Sequence, residues 1–147
     1  MLDRQRDRRG RLSYVLGIRS LDGSGPQRRG VRLGGDRDVA NRRGLASCEL
    51  PLRNTGRLVR VAGDHPEGVR RYLDSDIFRL SARVRGRGWT TNLPAELVTT
   101  PNGTTTGVTV HARNDFAGAP PGRVRVVARS ESDPDAVARA SCRVRMR

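Results

Sequence analysis

From Gly44 onward, apolar and polar side chains change places at almost every step of the chain. In "DIFRLSARVRG", Phe78, Leu80, Ala82 and Val84 take one side while Arg79, Ser81, Arg83 and Arg85 take the other. A period of two is that of a β-strand, whose successive side chains point to opposite faces; wound onto a helix, the same residues would scatter around the axis. "ASCELPLRN" repeats the rhythm with Cys48, Leu50 and Leu52, "TGVTVHA" with Val108, Val110 and Ala112, and "GRVRVVARS" with Val124, Val126 and Ala128. The closing stretch "DAVARASCRVRMR" places Ala136, Ala138, Ala140, Cys142, Val144 and Met146 inward and Arg139, Arg143, Arg145 and Arg147 outward. Weaker strand signals lie at residues 13–18, 58–61 and in "LPAELVTT". Between them, "NTG", "GDHPEG", "TPNGT" and "ESDPD" carry turn chemistry. Such spacing, with no helical period, predicts an all-β chain: an Ig-like antiparallel β-sandwich of about seven strands over residues 44–147.

Residues 1–43 read differently. Arg-Arg-Gly starts three times in them, at Arg8, Arg28 and Arg42, the last closing on Gly44, and they carry 12 Arg against 5 Asp with few apolar residues. Low hydrophobicity with high charge cannot offset the entropy of ordering, so a basic, mostly disordered leader is expected. Across the chain the formal net charge is +14, and every basic residue is arginine. That surplus favours anionic partners, while the lack of lysine is also what a GC-rich coding bias produces. The arginine faces therefore admit two readings. They can be the wet side of strands, where the stem covers neighbours and the head stays hydrated. Alternatively, Arg123, Arg125, Arg143 and Arg145 form a polyanion contact for nucleic acid or an acidic glycan.

Cys48 and Cys142 both fall in the inward register, in the first and last strands of the predicted domain. A disulfide is expected, worth on the order of 4 kcal/mol by loop-closure entropy; the alternative is a pair of buried free thiols. A bridge implies an oxidising compartment, hence a secreted, extracellular protein in which this chain is one piece, since no signal peptide or apolar membrane span is present; without it the chain would be cytoplasmic. Trp89, the single tryptophan, could stack on a ligand or plug the core. His65, beside Asp64 and Glu67, and His111 form no metal-ligand pattern, and neither a cofactor nor a metal is expected. Asp74 and Asp76, with Asp133 or Asp135, could edge a calcium site but fit ordinary turns. Asn102-Gly103-Thr104 is a glycosylation sequon in a turn.

Two segments carry a family resemblance: "GWTTNLPAELVTTPNGTTTGVTVHARN" and "GRVRVVARSESDPDAVARASCRVRM". In the first, Gly-Trp and Leu-Pro precede a turn and a Val-x-Val strand; in the second, a Val-x-Val-x-Ala-x-Ser strand runs through Asp-Pro into the last strand. Residues 44–147 resemble the Ig-like modules of secreted bacterial enzymes and are similar to the NEW3 domain associated with alpha-galactosidases. The resemblance implies a non-catalytic accessory module rather than an enzyme, one that spaces, stabilises or docks a neighbouring catalytic domain or meets carbohydrate. The rival expectation is a basic polyanion-binding protein.

Overall fold

A computed structural model describes residues 2–6, 12–16, 27–35, 37–41, 44–58, 74–116 and 118–146. Among these residues the secondary structure is all strand, with no helix. The chain runs β1 (Leu2–Arg6), β2 (Leu12–Leu16), β3 (Gln27–Arg28), β4 (Val31–Leu33), β5 (Arg37–Asn41), β6 (Leu45–Asn54), β7 (Arg57–Leu58), β8 (Ser75–Arg85), β9 (Trp89–Asn92), β10 (Leu97–Pro101), β11 (Thr105–Asn114), β12 (Gly122–Ser130) and β13 (Val137–Met146). Two principal sheets form a sandwich, one in the order β10-β8-β12-β13-β5 and the other β4-β6-β11-β9. All pairings are antiparallel except β13 with β5. The expected two-sheet architecture is therefore the one observed. Because β8 pairs with β10 and β12 and not with β9, the strands cross between sheets, as sandwich connections do.

The alternation decides which face each strand buries. Along β6, exposed and buried residues alternate without a break, and β12 does the same with one half-buried exception. The interior is built from small and medium residues, with Leu50, Leu52, Phe78, Val110, Val124, Val126 and Val144 all shielded from solvent. Cys48 in β6 and Cys142 in β13 meet across the two sheets as a disulfide, with Cα atoms 6.3 Å apart. In a core with so few large side chains, a covalent tie between the layers supplements packing.

The sandwich also takes in strands that lie before Gly44. β4 extends the edge of β6, and β5 runs alongside the last strand. Val31, Leu33 and Val39 pack against the core cluster from these short pieces. Of the weak signal at 13–18, residues 13–16 lie in β2, paired with β1, and the rest lies outside the described residues; of that at 58–61, only Leu58, in β7 paired with β3, is among them. Gly35 lies on the link between β4 and β5. A Cβ there would sit 2.7 Å from the Ala140 Cβ and 2.9 Å from the Ser141 backbone nitrogen, so the backbone can approach β13 only as glycine. His65, with Asp64 and Glu67 in the "GDHPEG" loop, lies outside the described residues.

Candidate functional site

The solvent face of the five-stranded sheet concentrates arginine. Register fixes which side chains are neighbours: Arg123 of β12 lies opposite Arg85 of β8 on one side and Arg143 of β13 on the other. In the next outward row Arg125 faces Arg83 and Ser141, and in the third Val127 faces Ser81 and Arg139. Neighbouring strands are ~4.8 Å apart and same-face residues along a strand repeat every ~6.7 Å, so the arginine side chains leave the sheet from a grid of that pitch. Arg83, Arg85, Arg123, Arg125, Arg129 and Arg139 line an open groove of about 900 Å³, walled on one side by Leu33 and Gly35. No carboxylate lines it among the described residues.

Elsewhere the same outer surfaces pair their arginines. Arg79 Nε donates to Glu131 at 2.6 Å, and that hydrogen bond, with the charge behind it, holds the guanidinium above its ordinary pKa. Arg113 Nε donates to Asp115 at 2.8 Å. The expected contact set thus divides. Arg123 and Arg125 line the groove, whereas neither Arg143, which is engaged by contacts of its own, nor Arg145 is among the lining residues. Arg83 and Arg85 complete the site from a strand nearly forty residues away, which local alternation does not reveal.

The remaining candidates are structural. Trp89 is 6 % exposed, its indole N–H donates to Pro120 O at 2.8 Å, and its ring abuts Gly122. It has no free ring face for stacking, so the ligand reading of Trp89 gives way to the core reading. Asp76 is buried and fully used: its Oδ2 accepts from Ser130 Oγ at 2.6 Å, and its Oδ1 accepts from Ser132 Oγ and Ile77 N, both at 2.9 Å. Arg29 Nη1 stands 3.7 Å away. These bonds tie the β12–β13 turn to the start of β8. In that turn Asp133 Oδ1 accepts from Asp135 N, as a turn residue does. Asn102 is half-buried and its Oδ1 accepts from Asn54 Nδ2 at 3.0 Å, while Asp74 gives its carbonyl to Asn102 N. His111 Nδ1 meets Ser47 Oγ at 2.9 Å.

With the geometry in hand, the kinship can be stated. A family model described as "Peptidase M6-like domain" matches residues 32–147, which is nearly all of the sandwich including β4's last residues and β5. The chain belongs to that family. It is 35% identical over 152 residues to a protein of Arthroderma benhamiae named "Putative secreted metallopeptidase", covering 98% of this chain and 22% of the relative. The chain therefore spans about a fifth of that relative's length. Among solved structures it is similar to the secreted serine protease VesC from Vibrio cholerae, at 14% identity and a TM-score of 0.50, covering 80% of this chain and 23% of the other. At that identity the likeness concerns the fold alone.

These findings correct the sequence reading. The resemblance to a NEW3 accessory module is overturned by membership of a peptidase-domain family, and with it the expected function, a non-catalytic spacer that is no enzyme or, in the rival reading, a basic protein whose role is to bind polyanions; an anion contact at particular arginines is a property of the surface and does not turn on the family. The residues quoted for that resemblance are strand and turn elements that many sandwiches share, so they could not separate one family from another. A metallopeptidase implies a bound metal, and the described donors do not fit one. No three His, Cys, Asp or Glu residues among them converge on a point. Both cysteines are consumed in the disulfide and Asp76 is saturated by hydroxyl and amide donors. No hydrolytic step is assigned to these residues.

Proposed function

We propose that this chain is a domain of a secreted metallopeptidase and works as part of a protein that hydrolyses peptide bonds outside the cell. The family match across residues 32–147 carries this reading. Two further observations support it: the kinship with a protein named as a secreted metallopeptidase, and the buried disulfide, a bond that persists in oxidising compartments. The sandwich is where such a protein would gain a rigid, protease-resistant surface, because every long strand of the two principal sheets is paired and the layers are covalently joined. The test is to express the gene product that carries this chain in a secreting host and assay the culture supernatant on casein and a quenched fluorogenic peptide. Turnover abolished by 1,10-phenanthroline and restored by added divalent metal is expected. Product confined to the cells, or hydrolysis indifferent to the chelator, would overturn the proposal.

A further inference from the structure

The geometry points to the arginine groove as a docking site for an acidic polypeptide segment, an extended run of Asp and Glu side chains. The grid of Arg83, Arg85, Arg123, Arg125, Arg129 and Arg139 is the observation that carries it. Cross-strand like charges are destabilising when placed directly opposite one another, yet here Arg85 faces Arg123 and Arg83 faces Arg125. A coding bias explains why the cation is arginine and never lysine. It does not explain why no carboxylate is among the described lining residues, because the same chain places Glu131 on Arg79 and Asp115 on Arg113. Among the described residues none of the six groove arginines is in an ion pair.

A guanidinium offers a planar fork that matches a carboxylate or a phosphate bidentately. In an extended peptide, side chains on one side recur every ~6.7 Å, the same repeat that separates Arg123 from Arg125 and Arg83 from Arg85 along their strands. Between the arginines the lining is small, with the aliphatic Val127, Leu33 and Ala140 and the hydroxyl residues Ser81 and Ser141, and no aromatic ring is among the lining residues. Stacked single-stranded bases and neutral sugar rings are held by aromatic side chains, and Trp89 is buried elsewhere. A polypeptide needs no such platform. A phosphate or sulfate backbone held by charge alone is the competing ligand, represented in the test by heparin and an oligonucleotide. The inference stands apart from catalysis, since the groove can bind whether or not the whole protein proves to be a peptidase.

Fluorescence anisotropy on the full chain of residues 1–147 provides the test, with a labelled oligoglutamate of about eight residues, long enough when extended to cross the groove. Binding is expected at low salt, with loss of affinity as ionic strength rises past about 0.15 M, where screening shortens to ~8 Å. R83Q/R125Q should weaken binding by roughly tenfold or more, since two charge-assisted pairs are lost. R53Q/R57Q, which removes the same two charges away from the groove, should change it by less than about twofold. Circular dichroism of both variants reports that the sandwich is intact. Equal losses from R53Q/R57Q and R83Q/R125Q would mean net charge alone, and overturn the site. Heparin or an oligonucleotide of equal charge displacing the peptide and binding more tightly would overturn its assignment to an acidic polypeptide.

Discussion

Breaking the Cys48–Cys142 bond tests the architecture at its most exacting point. The two cysteines are separated by 94 residues and both are fully buried between the sheets. Loop-closure entropy for a ring of that size amounts to about 4.7 kcal/mol at room temperature. Single domains have only ~5–15 kcal/mol of net stability, so the bond accounts for a large share of whatever this one has. At about 3 °C per kcal/mol for a chain of this size, its loss should lower the melting temperature by roughly 15 °C. Comparing the oxidised protein with the same chain unfolded, reduced and refolded in reductant keeps every side chain in place and removes only the cross-link. Urea unfolding followed by far-ultraviolet circular dichroism reads the difference. Because both sulfur atoms are shielded, reductant added to the native protein should act at the rate at which the sandwich opens. If the oxidised and reduced forms unfold within about 1 kcal/mol of each other, the cross-link does not stabilise through the length of the loop it closes, and the reasoning fails.

Three further perturbations probe the interior and the surface. Asp76→Ala strands the hydroxyls of Ser130 and Ser132, the Ile77 amide and the Arg29 guanidinium, and should cost about 3 kcal/mol in urea unfolding; a loss under about 1 kcal/mol would show that the buried carboxylate is not the tie it appears from its bonds. Gly122→Ala puts a methyl 2.8 Å from Trp89 Cδ1 and 2.9 Å from its Cγ, so overpacking of roughly 1–3 kcal/mol and a shift in the emission of the single tryptophan are expected. An unchanged spectrum and stability would refute that packing. Glu131→Gln removes an exposed ion pair with Arg79 and should leave the unfolding midpoint where it was, because solvent-exposed pairs contribute little; a clear drop in the midpoint would contradict this.

What could be read in the sequence follows the range of the forces involved. Alternation is a local property, and it correctly placed Cys48 and Cys142 on inner faces, hence their bond, along with the long strands β6, β8, β11, β12 and β13. The short strands β4 and β5 escaped because three to five residues with one or two aliphatic side chains have no periodicity to detect; only pairing with β6 and β13 makes them strands. The arginine groove was half legible for the same reason. Arg123 and Arg125 share a strand, but their neighbours Arg83 and Arg85 arrive through the non-local pairing of β12 with β8. Family identity was the least legible of all. Val-x-Val and Asp-Pro report a strand and a turn, and physics asks for those in any sandwich.

The inner and outer faces of β12 and β13 are coupled through a shared backbone. Val124 pairs with Cys142 in the register step next to the row in which Arg123 meets Arg143 and Arg85. Repulsion across that row acts to separate the strands, and the small Val and Ala side chains beneath it offer modest opposing contact area. The disulfide anchors β13 to the opposite sheet at that step. A covalent tie placed there lets the sheet carry a cation-dense surface that its own packing would hold less firmly, which is the relation expected when a binding surface is kept at the expense of local stability. On this view the acidic ligand and the disulfide act on the same strands from opposite faces, the one by neutralising the charge and the other by holding the backbone against it.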